Sequence, residues 1–275
     1  MMAAEKKEEE EEDEYKMVEL KSLSKRDNIH SFALNDSSPA YSNALRRIML
    51  NEVPVLAVED VEFRRNSSSL YDEMIAHRLG LIPLTTDQKS YEFKNKCKCK
   101  GEGCAKCTLK FTLKEKGPKT VYASSLKSAD PKVKPVHPKT IIVKLLKDQE
   151  IELEATAVLG KGEEHVKWSP CHVYYKSMPE IKIQENKIKD PKTVAESCPA
   201  KVFEVKNNKL QVKNIFNCHM CNACVEVSDS SVQVLPSKKD YIFYIESWGQ
   251  LSPREIVIAG TEILDQKLME LEKAL

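Results

Sequence analysis

Apolar and polar residues alternate from Met17 to Leu34, which predicts two short strands within YKMVELKSL and HSFALN. Asn35-Asp36-Ser37-Ser38 should close the second strand, with Ser38 at a helix N-cap and Pro39 at the first helical position, where a missing N–H costs nothing. The helix predicted over Ser38–Asn51 carries Ala40, Ala44 and Ile48 on one face, with Tyr41 and Leu45 beside it, and should end before Val53-Pro54. VLAVEDVEFRRN (55–66) is rich in β-branched residues and predicts a strand. Ser69-x-x-Asp72 has the form of a capping box opening a short helix, LYDEMIAHRL, with Gly80 as its stop. Tyr91 to Leu113 reads as strand on both sides of a Lys/Cys/Gly knot. The prolines of Pro131–Pro138 demand a loop, 139–160 supplies two strands, and VKWSPCHVYYK (166–176) supplies another.

The pattern weakens at Met178-Pro179. From there to about Leu235 the segments are short, rich in Asn and Lys, and weakly apolar, as in a small domain held by something other than a large core. The strand YIFYIESWG follows. Ser252-Pro253-Arg254-Glu255 then combines a capping box with proline at the first helical position. In the helix it opens, Ile256, Ile263, Leu264, Leu268, Leu271 and Leu275 recur mostly at spacings of three and four, with Gly260 on the same stripe. A stripe that long needs a partner surface, in its own domain or on another subunit.

Charge changes the picture at one end. The whole chain of 275 residues is nearly neutral at +1, yet its first fourteen residues hold eight acids and two bases. Taking them from the 43 basic and 42 acidic residues leaves 41 against 34, or +7. Residues 1–16 are therefore expected to be a disordered, solvating acidic tail. No signal-type apolar core and no membrane-length run is visible, so the expectation is a cytoplasmic protein without a membrane partner. In a reducing compartment, nine closely spaced cysteines point to metal chemistry over disulfides.

Those cysteines fall into two groups. Cys218, Cys221 and Cys224 form C-x2-C-x2-C, with Cys198-Pro199 upstream. The two-cluster bacterial ferredoxin run is C-x2-C-x2-C-x3-C-P, whose last cysteine serves the other cluster. Here Ser228 stands where the run's own Cys-Pro would begin, and Ile188, Pro191 and Val194 stand where the other triplet would be. One half-site keeps its triplet and the other its Cys-Pro. These are the four thiolates that one cubane needs, so the spacing indicates a single iron–sulfur cluster, of 4Fe-4S type or of 3Fe-4S type on the triplet. A zinc knuckle or four structural cysteines is the plainer alternative. The second group, Cys97, Cys99, Cys104 and Cys107, is C-x-C-x4-C-x2-C, with Gly101 and Gly103 to turn the chain. Four thiolates so close can close a tetrahedral zinc site, and five neighbouring lysines (94, 96, 98, 100, 106) offset its negative charge. A structural staple and a nucleic-acid-reading zinc ribbon are both open, the staple favoured by the lack of an aromatic platform. Cys171 stands alone as a buried thiol, Gly160-Lys161-Gly162 is a hairpin turn more than a phosphate loop, and Glu163-Glu164-His165 is a solvated charge run.

Three stretches then become familiar together: SSPAYSNALRRIMLNEVPVLAVEDVEFRRNSS around Asn43-Ala44-Leu45-Arg46-Arg47, DEMIAHRLGLIPL (72–84) and GKGEEHVKWSP (160–170). They resemble the RNA polymerase assembly-subunit family, which comprises the archaeal D subunit, the third subunit of eukaryotic polymerase II and the N-terminal domain of bacterial alpha. The cysteine loop is similar to the zinc loop of the eukaryotic member, and the ferredoxin-like insert is similar to that of many archaeal D subunits. The resemblance implies an α+β fold with a discontinuous dimerisation domain of antiparallel sheet and two helices (17–55 and 236–275). It also implies an inserted, mainly β domain (56–177) carrying the cysteine loop 97–107, and a ferredoxin-like iron–sulfur domain (178–235). It implies a heterodimer with the small subunit L through the two helices, including Ile263, Leu264 and Leu268. Asn43, Arg46, Arg47, His77 and Arg78 would face other polymerase subunits, large and small, and DNA would be met only through the complex. No catalytic residue is expected in this chain, because the family leaves nucleotide addition to its large subunits. The competing readings are a ferredoxin-like electron-transfer component and a zinc-dependent nucleic-acid-binding module.

Overall fold

The structure, a computed structural model, describes residues 19–275; the acidic tail expected over 1–16 lies outside the described residues. It is a mixed α+β chain whose resolved strand pairs are antiparallel. In chain order the elements begin with β1 (Glu19–Arg26), β2 (Ile29–Asn35), α1 (Pro39–Asn51), β3 (Val55–Asn66) and α2 (Asp72–Gly80). Then come β4 (Thr108–Lys116), β5 (Lys119–Tyr122), β6 (Lys127–Ser128), β7 (Ile141–Leu145), β8 (Glu150–Gly160) and β9 (Cys171–Ile183). The chain ends with α3 (Pro191–Glu196), β10 (Phe203–Lys206), β11 (Lys209–Val212), α4 (Ala223–Val227), β12 (Val232–Ser247) and α5 (Pro253–Ala274). One four-stranded sheet runs β1-β2-β12-β9, a second β3-β8-β4-β6, with two-stranded pairs β5-β7 and β10-β11. The described chain separates into a larger unit (Ser22–Phe32, Pro39–Lys176, Ile242–Leu275) and a smaller one (19–21, Ala33–Ser38, Ser177–Tyr241). Four of the five boundaries fall inside β1, β2, β9 and β12, and the fifth, between Ser38 and Pro39, falls at the start of α1.

The larger unit's main core follows from period-two patterning. β8 turns Ile151, Leu153, Ala155 and Ala157 inward, and β4 sets Leu109, Phe111 and Leu113 on the same side, with Phe111 opposite Ala155 and Leu113 opposite Leu153. Ile75 and Leu79 of α2 join that core, both fully buried. The outward face carries a ladder of opposite charges: Lys114 pairs with Glu152 at 2.9 Å and Arg65 with Glu150 at 2.8 Å. The partners hold the carboxyls of Glu150, Glu152 and Glu154 below the usual carboxylate range, chiefly through hydrogen bonds from Arg65, Lys114 and Lys110. In the smaller unit, Val194, Val202, Phe203, Leu210 and Val232 gather around three cysteines. The β10–β11 hairpin closes on Asn207-Asn208, both at positive φ (51° and 60°), the pairing a two-residue hairpin turn requires.

Several local expectations change. The buried face of α1 is Ser42, Leu45, Ile48 and Met49, while Ala40 is exposed. The face is set by α5, whose Gly260 lets Met49, Leu45 and Ile48 approach; a Cβ there would stand 3.0 Å from Met49 Cγ. Ser69 does not cap α2: the helix begins at Asp72 after Tyr71, with no side-chain cap, and the Asp72 carboxylate accepts from Asn66 Nδ2 at 2.7 Å. The stretch entering the cysteine loop is turns, not strand, with one backbone bond from Glu92 N–H to Lys106 C=O at 2.8 Å; only the outgoing side is a strand, β4. Gly160-Lys161-Gly162 is not a hairpin, since β8 and the following β9 belong to different sheets. A Cβ on Gly160 would lie 2.4 Å from the Trp168 ring, and one on Gly162 would lie 2.4 Å from Leu50 O, so both glycines serve close packing. Met178 and Leu235, where composition shifts, lie inside β9 and β12. The capping box at Ser252 and Glu255 is present as expected.

Candidate metal centres and their surroundings

The loop Cys97–Cys107 folds so that its four sulfurs all lie within 4.8 Å of one another. Lys100, Gly101 and Gly103 adopt positive φ (52°, 89° and 96°), bending the chain back between Cys99 and Cys104. A knuckle follows. Cys104 C=O accepts the amides of Cys107 and Thr108, each at 2.9 Å, and Cys104 N–H donates to Cys107 Sγ at 3.3 Å. Measured edges are 3.5 Å for Cys97–Cys104, 3.5 Å for Cys99–Cys107 and 3.9 Å for Cys104–Cys107. A disulfide needs about 2.05 Å, whereas a tetrahedron with metal–sulfur distances of about 2.3 Å has edges of about 3.8 Å. The donor set therefore fits one tetrahedral metal ion. Cys97 and Cys107 are buried, and Cys99 and Cys104 half-buried. The Gly103 amide and then the Cys107 thiol draw the Cys99 thiol down to about 6. Lys94, Lys96, Lys98, Lys100 and Lys106 are all exposed around the loop.

The smaller unit holds the other four cysteines differently. Cys198, Cys218 and Cys224 are buried, Cys221 is exposed, and all four line one small cavity of about 10 Å³ with Phe203 and Met220. Met220 and Asn222, between the triplet's cysteines, take positive φ (57° and 63°), which winds the chain around that cavity. Cys198 follows α3, whose N-cap Asp190 accepts from Lys192 N–H and Thr193 Oγ. Burial and then the sulfurs of Cys198, Cys218 and Cys221 push the Cys224 thiol up. Among the described residues, no three of these four thiols converge within 4.8 Å, unlike those of the first loop. Four soft thiolates on one cavity are the donor chemistry of an iron–sulfur cluster. Ser228 takes no part: its hydroxyl donates to Val225 C=O at 3.2 Å and accepts from Val232 N–H at 3.0 Å. Cys171 is buried against Met49 C=O, and burial pushes its thiol up to about 12, so it is an ordinary packed thiol.

The remaining candidates lie on the larger unit. Arg46 folds onto its own helix, donating to Asn43 Oδ1 at 3.2 and 2.9 Å, and Arg47 is exposed. Arg47 and Leu264 line one groove, so α1 and α5 bring these two together. His77 is exposed on α2, while Arg78 bonds Ile142 C=O at 2.9 Å and so fastens α2 to β7. On α5, Ile256 and Gly260 are buried, Ile263 and Leu264 half-buried, and Leu268, Met269 and Leu271 at least half exposed (55%, 50% and 56%). Sequence reasoning missed two supports. Trp168 donates to Val158 C=O at 3.2 Å beneath the Lys167 ammonium, and Tyr91 donates to Asp130 at 2.8 Å at the root of the cysteine loop.

The described residues thus form an α+β chain of antiparallel sheets and two packed helices with two cysteine sites, and similarity to known proteins places it among RNA polymerase subunits of the RpoA/Rpb3 type. Residues 61–171 match the family model for the RNA polymerase Rpb3/RpoA insert domain. The chain is 40% identical over 252 residues to DNA-directed RNA polymerase subunit Rpo3 of Methanosphaera stadtmanae, covering 88% of this chain and 93% of that one. It is 38% identical over 258 residues to the Rpo3 of Archaeoglobus fulgidus (94% and 97% covered) and 36% over 250 residues to that of Methanopyrus kandleri (89% and 90%). The chain belongs to the archaeal RNA polymerase subunit Rpo3 family, whose members are also called D subunits. No described helix is long and apolar enough to cross a membrane.

Proposed function

We propose that this chain is a non-catalytic assembly subunit of a DNA-directed RNA polymerase, working in the cytoplasm. It pairs with the small subunit L through α1 and α5 and then presents Asn43, Arg46, Arg47, His77 and Arg78 to the other polymerase subunits. One observation carries this reading. The α5 stripe opens along its length: Gly260 is buried against α1, Ile263 and Leu264 are half-buried, and Leu268 and Leu271, about one turn apart, are more than half exposed. A monomer gains nothing from such a stripe, and a partner helix would bury it. The relatives' name supports the same assignment. We read 17–55 with 236–275 as the dimerisation domain, 56–177 as the inserted β-rich domain and 178–235 as the iron–sulfur domain.

The metals follow from the donor sets. Zinc suits the Cys97–Cys107 tetrahedron, where four thiolates would close it as a structural ion replacing a missing core. One iron–sulfur cluster suits Cys198, Cys218, Cys221 and Cys224, four soft thiolates gathered on one cavity. When bound, the cluster supplies rigid cross-links among segments with few apolar contacts of their own, so its role is structural or regulatory for assembly. The residues' own task is to hold these segments: three buried sulfurs inside and Cys221 at the solvent edge. Mixing the purified chain with subunit L and measuring mass and affinity tests the reading. A tight one-to-one complex is expected, and a monomer that ignores L contradicts it. Reversible one-electron reduction coupled to an enzyme would favour the electron-transfer reading instead, and nucleic-acid affinity falling steeply with salt would favour the zinc-ribbon reading.

A further inference from the structure

Beside the α5 stripe runs a second groove of about 330 Å³, and one of its walls is the turn-rich arm that leads into the cysteine loop. Phe93 and Lys96 of that arm face Pro54 and, from α5, Ile263 and Glu270. We propose that this groove docks an apolar, carboxylate-bearing segment of the small partner subunit, and that the metal in the Cys97–Cys107 loop sets its shape. The proposal rests on the reading of α5 as the partner-facing helix, and adds the cysteine loop to that interface.

The chemistry of the walls selects the occupant. Phe93, Pro54 and Ile263 give an apolar ledge. Glu52, at the groove's base, is already engaged by Lys267 at 2.5 Å and by Lys161 at 3.9 Å. The Lys96 ammonium lies 5.9 Å from the Phe93 ring centroid and meets no carboxylate within 4.0 Å among the described residues. Since Glu270 lines the same groove, a ligand carboxylate is placed by Lys96 rather than by a general positive field.

The arm has no strand partner. Its near end is anchored by Tyr91, buried in the main core and bonded to Asp130 at 2.8 Å, by Phe93 packed against that core, and by Glu92 N–H to Lys106 C=O at 2.8 Å; its far end, at Lys96, leads into Cys97. A metal joining Cys97 to Cys99, Cys104 and Cys107 fixes that far end. Without it Lys96 loses this restraint, and the partner must organise that side of the groove as it binds.

The test is calorimetric titration of subunit L into the full-length chain carrying its metals. Lys96→Glu and Phe93→Ala should each weaken binding by about tenfold or more, and Lys94→Glu, the same charge change on the same arm outside the groove, should stay within about twofold. Removing zinc by chelation should weaken the parent chain similarly and add little to Lys96→Glu, because both act on one wall. Metal content is measured on every variant; if Lys96→Glu loses zinc, Phe93→Ala with zinc retained decides. Parent-like binding by Lys96→Glu and Phe93→Ala, while Leu268→Asp abolishes it, overturns the groove and leaves α5 standing. Parent-like binding by Leu268→Asp overturns the α5 reading and this proposal together.

Discussion

Replacing Gly160 with alanine puts a methyl carbon where the Trp168 indole lies. The added Cβ would stand 2.4 Å from Trp168 Cδ2 and Cε2, against about 3.5–4.0 Å for a comfortable carbon contact. The ring must therefore retreat by roughly 1 Å or more, and it is poorly placed to do so. It is 6% exposed, its Nε1 donates to Val158 C=O at 3.2 Å, and Lys167 covers it at 4.4 Å while donating to Val58 C=O at 3.1 Å. Overpacking costs about 1–3 kcal/mol, and a lost buried hydrogen bond adds about 1 kcal/mol. Gly160→Ala should thus destabilise the larger unit by roughly 2–4 kcal/mol. Urea unfolding followed by tryptophan fluorescence reads it, since Trp168 is buried and Trp248 is 41% exposed. A loss under about 0.5 kcal/mol would refute the packing argument and return the Gly-Lys-Gly segment to an ordinary turn.

Leu268→Asp and Leu271→Asp lie on an exposed surface, so urea midpoints of the isolated chain should move by no more than about 0.5 kcal/mol, whereas affinity for subunit L should fall at least about a hundredfold. Zinc affinity of the metal-free chain, read by competition with a chromophoric chelator, should fall as pH drops, because the four thiols must give up their protons to bind; a flat profile contradicts thiolate ligation. In the metal-free chain a thiol reagent should modify exposed Cys221 well before Cys171, which is buried with its thiol pushed up to about 12, and early labelling of Cys171 would oppose its packed position. Glu150, Glu152 and Glu154 have folded values below the ordinary 4.5, so their stabilisation is present above that pH and lost as pH falls through the depressed values. The triple Gln variant should lose stability less steeply on acidification than the parent, and an equally steep loss would count against the ladder.

What was legible in the sequence was local chemistry. Ser252 and Glu255 cap their helix because the box needs only four consecutive residues, and Pro39 opens α1 for the same reason. Cysteine spacing was equally readable: Cys97–Cys107 close on themselves within eleven residues. Long-range partners decided the rest. The buried face of α1 turns on Gly260, more than two hundred residues away, and no window around Ala40 contains it. Ser69-x-x-Asp72 had the spacing of a capping box, but the helix starts only at Asp72, whose carboxylate is held by Asn66. The Tyr91–Asp130 bond joins residues 39 apart. Composition at Met178 and Leu235 reported weak burial, yet β9 and β12 run through both positions, because backbone pairing needs no apolar side chain.

The central claim is that α5 carries a partner. Native mass spectrometry of the metal-replete chain mixed with subunit L, at low micromolar concentration, tests it most directly. The account predicts a one-to-one heterodimer for the parent chain, and separate monomers once Leu268 and Leu271 are both aspartate with the fold retained. A parent chain that stays monomeric beside L, or a double variant that pairs as well as the parent, would contradict it.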